Sequence, residues 1–168
     1  MKKTCIIYGS TTGTCENLAN RIAEKLGINS NDVINVSNLK AEVISLYDNF
    51  ILGTSTWGSG DLQDDWYDQG LKIFKNNDLK DKTIALFGCG DSASYGDTFC
   101  SGLFELYDTV KQSGATVIGS VDSDDYNFEA SSAVINGEFV GLVLDEENES
   151  DKTEDRINKW IDEIKNKL

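Results

Sequence analysis

The chain has 168 residues, 29 Asp and Glu against 15 Lys and Arg, a net charge of −14, and no histidine. That charge disfavours nucleic acid and anionic membrane as partners, and the missing histidine removes histidine-based triads and histidine metal sites together. No apolar run approaches the roughly 20 residues of a membrane span, and the cysteines (Cys5, Cys15, Cys89 and Cys100) form no Cys-x-x-Cys pair of the kind that holds zinc or an iron–sulfur cluster.

Met1 to Thr4 runs straight into an apolar stretch too short for a signal-peptide core. The expectation is a cytoplasmic protein with reduced thiols. Residues 4–8 read as a short buried strand. Residues 13–26 follow as a helix, with Leu18, Ala19, Ile22, Ala23 and Leu26 at helical spacing and Gly27 as its stop. Residues 33–36 form a weak second strand and 49–53 a third. A helix is expected over 64–76, with Trp66, Ile73 and Phe74 inward. Residues 83–88 are continuously apolar, as a strand covered on both faces should be. A helix over 99–113 places Phe99, Leu103, Leu106 and Val110 on one stripe. Residues 115–119 begin a fifth strand, and 139–144 supply a second piece of it. Ile157, Trp160, Ile161, Ile164 and Leu168 mark a last amphipathic helix, capped by Ser150 or Asp151.

Strand–helix alternation implies a parallel sheet with helices on both faces. The chain reads as one α/β domain over 1–168. The polar, acidic stretch 120–138 is an insertion that interrupts the last strand.

Ligands of such sheets bind at the carboxyl ends of the strands. After the first strand comes Gly9-Ser10-Thr11-Thr12-Gly13-Thr14-Cys15, all backbone N–H groups and hydroxyls at a helix start. This is an anion site by its donors and the helix dipole. It has neither the Gly-Lys-Ser/Thr of a triphosphate loop nor a dinucleotide fingerprint. Read alone, it is equally a plain helix N-terminus. After the third strand comes Thr54-Ser55-Thr56-Trp57-Gly58-Ser59-Gly60-Asp61, where a tryptophan with little core beneath it is placed to cover a flat ligand. After the fourth comes Gly88 to Asp97, with Tyr95 in a polar, glycine-rich turn. A phosphate grip and two aromatic walls suit a phosphorylated planar ring.

The chain resembles the long-chain flavodoxins over residues 3–165. The carrying motifs are Ser-Thr-Thr-Gly-Thr at 10–14, Thr-Trp-Gly-Ser-Gly-Asp-Leu-Gln at 56–63, Phe-Gly-Cys-Gly-Asp at 87–91 and Tyr-Gly-Asp at 95–97, with Gly-Leu-Val-Leu-Asp at 141–145. The resemblance implies a flavodoxin-like three-layer doubly wound sheet of five parallel strands in the order 2-1-3-4-5, with flavin mononucleotide (FMN) at the switch point. It implies that Ser10, Thr11, Thr12, Gly13, Thr14 and Cys15 cradle the FMN phosphate. Trp57 would lie on the inner ring face, next to Ser55 and Thr56, and Tyr95 on the outer, with Asp97 and Thr98 beside it. Gly58, Ser59 and Gly60 would approach the N5 edge, and Cys89, Gly90 and Asp91 the pyrimidine end. The family usually carries threonine where Cys15 stands, so one hydroxyl donor is missing here.

No residue reads as a catalytic acid, base or nucleophile. The implied function is low-potential one-electron carriage, the flavin doing the chemistry and the protein tuning it. A carboxylate about 8 Å from a reduced, anionic ring costs about 2 kcal/mol at an effective dielectric near 20. That is roughly 90 mV for one electron. Glycine at 58 permits the following peptide to turn over and present its carbonyl to a protonated N5, so a stable neutral semiquinone is expected, and Gly58→Ala is expected to weaken it. The implied partners are basic redox proteins: an NADPH-dependent flavin reductase and oxidoreductases that also use ferredoxin. A monomer is expected. The alternative is an NAD(P)H-dependent quinone or flavin reductase on the same fold, against which stands the lack of spare basic residues for the dinucleotide. A response-regulator receiver needs an acidic pair after the first strand, and Tyr8-Gly9-Ser10 lacks one.

Overall fold

The apolar runs become strands of one sheet in the computed structural model, which describes residues 1–168. β1 (Thr4–Gly9), β2 (Val33–Asn35), β3 (Asn49–Trp57) and, after the short antiparallel return β4 (Asp61–Leu62), β5 (Thr83–Cys89) are its central members. β6 (Thr116–Ile118) and β10 (Leu142–Leu144) are the two pieces of the last strand. Thr116, Val117 and Ile118 pair with Thr83, Ile84 and Ala85, while Leu142, Val143 and Leu144 pair with Phe87, Gly88 and Cys89. The order β2-β1-β3-β5-β10, all parallel, is the one implied by the resemblance.

Alternation along the strands splits the core in two. Ile6, Tyr8, Ile51, Ala85, Phe87 and Leu144 face α1 (Thr14–Leu26) and α5 (Ser150–Ile164). Cys5, Ile7, Phe50, Leu52, Ile84, Leu86 and Val143 face the other layer, built from α2 (Val43–Leu46), α3 (Leu71–Lys75) and α4 (Gly102–Gln112). Each sheet side chain therefore leaves water on one face or the other, which is why these strands read as unbroken apolar runs.

Several boundaries differ from the sequence reading, each for a local reason. β3 runs on to Trp57, because Ser55 still pairs with Cys89, and Thr56 with Leu62. The helix expected over 64–76 contains a π-helical turn, Trp66–Gly70, before α3. A Cβ on Gly70 would fall 2.4 Å from the Trp66 ring and 2.5 Å from Val36, so only glycine lets this turn lie down. α4 starts at Gly102 and not at 99, because Cys100 has φ 53° and the Phe99 N–H donates to Ala130 of the insertion. Neither Ser150 nor Asp151 caps α5. Its N-cap is Glu149, whose carboxylate lies 2.7 Å from Arg156 and makes no capping bond.

The insertion is more than a polar loop. β7 (Val121–Asp122), β8 (Val134–Ile135) and β9 (Glu138–Phe139) form a small antiparallel sheet in the order β7-β9-β8. Phe139, expected in the fifth strand, belongs to it. Tyr126, Phe128 and Phe139 pack on Phe99 with ring centroids 5.7 to 6.4 Å from its own, and Phe139 lies 5.1 and 5.2 Å from the other two. The insertion thus extends the core beside the loop that carries Tyr95.

Candidate functional site

The strand order reverses between β1 and β3, and there the loops after β1, β3, β5 and β10 enclose a cleft. Ser10, Thr12, Thr14 and Cys15 line one end. Ser55, Thr56, Trp57 and Gly58 form one wall, and Cys89, Gly90, Asp91, Tyr95 and Thr98 another. The sequence reading missed Phe99, Cys100, Glu146 and Glu147, which complete it. The two glutamates follow β10 at its carboxyl end, so the rule that found the other loops would have found them too. Thr11, Gly13, Ser59, Gly60 and Asp97, also expected in the site, do not line the cleft.

The anion end rests on α1. Gly13 is its N-cap at φ 93°, a left-handed conformation without steric cost for glycine, and its N–H donates to Ser10 Oγ at 3.1 Å. The first N–H groups of this 13-residue helix have no intrahelical acceptors and point toward the turn. No lysine or arginine lines the cleft. A dianion would be held there by neutral donors and the helix dipole alone. Thr11 faces away, toward Gln63, whose Nε2 donates to its hydroxyl oxygen at 3.3 Å.

The walls are aromatic and wet. Trp57 is 41 % and Tyr95 54 % exposed, high values for such large rings. The Trp57 indole N–H donates to Ser55 Oγ at 2.7 Å, which fixes the ring plane. Tyr95 is held through its backbone: its N–H donates to the Asp91 carbonyl at 2.8 Å, and its own carbonyl accepts from Thr98 at 3.2 Å. The next carbonyl, that of Gly96, takes two N–H groups of the insertion, from Glu129 and Ala130.

Asp145, 1 % exposed, ties two loops together. Its carboxylate accepts from the Ser92 hydroxyl and N–H, and from Asn148 Nδ2. Hydrogen bonds from the Asn148 amide and the Ser94 N–H hold the Asp91 carboxyl below the usual range. Cys15 and Cys100 are fully buried beneath the site, and burial pushes both thiols up, Cys15 further through its neighbour Cys89. They are small packing groups and not nucleophiles.

The donor set fits a phosphate on a chain ending in a flat ring. Comparison with known proteins points the same way. The family model described as Flavodoxin matches residues 6–160. Flavodoxin 1 of Azotobacter vinelandii is 43 % identical over 164 residues, covering 96 % of this chain and 94 % of the relative. The flavodoxin of Helicobacter pylori is 39 % identical over 165 residues, covering 98 % of each. Among solved structures, Fusobacterium nucleatum flavodoxin bound to flavin mononucleotide superposes with a TM-score of 0.90 at 35 % identity, over 100 % of this chain and 99 % of that one.

Proposed function

Because the chain belongs to the flavodoxin family, in its long-chain branch, we propose a specific division of labour in its cleft. The protein is an FMN-binding one-electron carrier and not a catalyst. FMN, when bound, supplies the electron chemistry. The turn 10–15 binds its phosphate through backbone N–H groups and the hydroxyls of Ser10, Thr12 and Thr14. Thr11 and Gly13 shape that turn. Trp57 and Tyr95 sandwich the ring and exclude water from its faces. Gly58, Ser59 and Gly60 border its N5 edge, where a carbonyl of this turn would accept a hydrogen bond from a protonated N5. Cys89, Gly90 and Asp91 receive the pyrimidine end, with Thr98 and Asp97 behind Tyr95. The observation that carries this reading is the pairing of two exposed aromatics with a hydroxyl-lined helix N-terminus in one cleft.

Basic redox proteins are the proposed partners. The site loops come from stretches without any basic residue: between Lys3 and Arg21, Lys40 and Lys72, Lys82 and Lys111, and Lys111 and Lys152. Asp61, Asp91, Asp97, Glu146 and Glu147 leave this face negative, complementary to a cationic donor or acceptor. An NADPH-dependent flavin reductase and ferredoxin-type oxidoreductases fit that description. No helix is long and apolar enough to cross a membrane, and a cytoplasmic location is part of the proposal. Large exposed apolar side chains outside the cleft, such as Leu46, Phe104 and Ile135, lie on separate elements, which supports a monomer.

The test is the visible spectrum of the purified protein with mass spectrometry of the released cofactor. Flavin bands and the mass of FMN are expected, and a colourless protein that takes up no added FMN sinks the reading. Stopped-flow mixing with NADPH addresses the reductase alternative, since a carrier is not reduced directly.

A further inference from the structure

Gln63 is 2 % exposed and belongs to neither the phosphate turn nor the cleft lining, yet its bonds reach Thr11 in that turn and Thr54, the residue before the lining Ser55. Its side-chain amide donates to Thr11 Oγ1 at 3.3 Å and to Asp65 Oδ2 at 2.9 Å. Its side-chain oxygen accepts the Asp65 N–H at 3.0 Å, and its backbone N–H donates to Thr54 Oγ1 at 3.3 Å. A Cβ on Gly9 would lie 2.4 Å from that oxygen, so the first strand carries glycine where Gln63 crosses it. Gln63 therefore joins the turn after β1, through its carboxamide on Thr11, to β3, through its backbone N–H on Thr54 three residues before Trp57.

Resting on the FMN reading above, we propose that Gln63 is a positioning residue that couples the phosphate turn to the ring loop, so that an anion in the turn strengthens binding of the ring. Coupling of this kind is reciprocal. The side chain is buried and its own backbone N–H is held by Thr54, so ordering Thr11 restrains the strand end that leads to Trp57.

FMN can be divided into the two halves the bridge joins: riboflavin for the ring and inorganic phosphate for the anion. Riboflavin affinity of the apoprotein is measured by fluorescence quenching with and without saturating phosphate. In the wild type, phosphate should tighten riboflavin by about fivefold or more. Gln63→Met keeps the volume and removes the donor, and should bring the factor close to one. Thr11→Val removes the acceptor from the exposed side and should do the same, which secures the test if the buried variant folds poorly. A wild-type factor of one, or an undiminished factor in the folded variants, overturns the proposal while FMN binding itself stands. Failure of the wild type to bind either FMN or riboflavin overturns both.

Discussion

The side-chain amide of Asn148 donates to the Asp91 carboxylate at 2.8 Å, joining loops 57 residues apart in sequence, and the same nitrogen lies 3.0 Å from Asp145. Two carboxylates are thereby held together on one donor group, at the wall that ends in Tyr95. Asn148→Ala removes that shared donor, leaving Asp91 the Ser94 N–H and Asp145 its bonds from Ser92 and the backbone N–H at 148. Asp91 titrates below its ordinary value in the folded protein, chiefly through Asn148. A group depressed in this way stabilises the fold above its unfolded pKa of about 3.9 and loses that contribution as pH falls through the folded value. In Asn148→Ala the Asp91 midpoint, followed by carboxyl NMR, should rise toward the ordinary range, and FMN should bind more weakly. An unchanged midpoint would show that the latch is idle.

The turn beside the expected N5 edge has Gly58 at φ 52° while Ser59 is not at positive φ, and the Gly60 N–H donates to the Trp57 carbonyl at 3.2 Å. This is the type II′ arrangement. Turning the 58–59 peptide over converts it to type I′, which demands positive φ at Ser59 as well. Gly58 tolerates both turns, as the sequence reading expects, and Ser59 bears the steric cost of the flipped one, on the order of 1 kcal/mol. Ser59→Gly should therefore favour the flipped turn. Both reduced forms of the flavin carry the proton on N5, so the first one-electron potential should rise by roughly 40 mV while the second stays nearly unchanged, widening their separation. Redox titration during anaerobic photoreduction measures both potentials, and a narrowed gap would contradict the turn analysis.

The strands and the three glycine-rich loops were legible because each obeys a local rule: unbroken apolar runs for strands covered on both faces, donors and small residues at their carboxyl ends. Phe99 and Phe139 were misplaced because their partners are distant. Phe99 is pulled out of its helix by a carbonyl at 130, and Phe139 pairs with Val121 and Val134. Periodicity carries no trace of either contact. The roles of Gln63 and Asn148 escape periodicity in the same way, since a side-chain amide, buried at 63 and exposed at 148, declares its role only through the groups it meets.

The thiols should be inert in the native protein. Burial is the main cause that raises Cys5 to about 12, and it also drives Cys15 and Cys100 up. At pH 8 a thiol of pKa 12 is ionised to about one part in ten thousand, and the thiolate is the reactive form. Cys89, at 6 %, has slight access. A chromogenic disulfide reagent should therefore find at most one thiol within minutes in native apoprotein and four after denaturation. Rapid native reaction of two or more would mean that the core opens locally.

Cys15→Thr should separate cofactor affinity from stability. The side chain lines the cleft but has no exposed surface, and it packs beside Cys89. Threonine restores a hydroxyl near the anion end, and a hydrogen bond to a charged group contributes about 1.5–3 kcal/mol. It also adds a branch in a filled layer, a change that costs about 1–3 kcal/mol. FMN should bind tighter by fluorescence titration while the apoprotein unfolds at lower urea. Equal or weaker FMN affinity would mean that the hydroxyl cannot turn toward the phosphate.

Electron transfer with a basic partner protein should slow as salt is added. The rim carries Glu146 and Glu147 at the cleft and Asp61 and Asp97 nearby, with no cation among the lining residues to offset them. Between about 0.01 and 0.1 M ionic strength the Debye length falls from about 30 Å to about 10 Å, so steering by this face fades while short contacts persist. The bimolecular rate should fall over that range. Glu146→Gln with Glu147→Gln should flatten the dependence, because two of the charges that do the steering are gone. Glu146 also lies 3.8 Å from Arg21 at the α1–α5 junction, so the FMN affinity of the double variant must be checked alongside the rate. A rate indifferent to salt in the wild type would place docking on another face of the molecule.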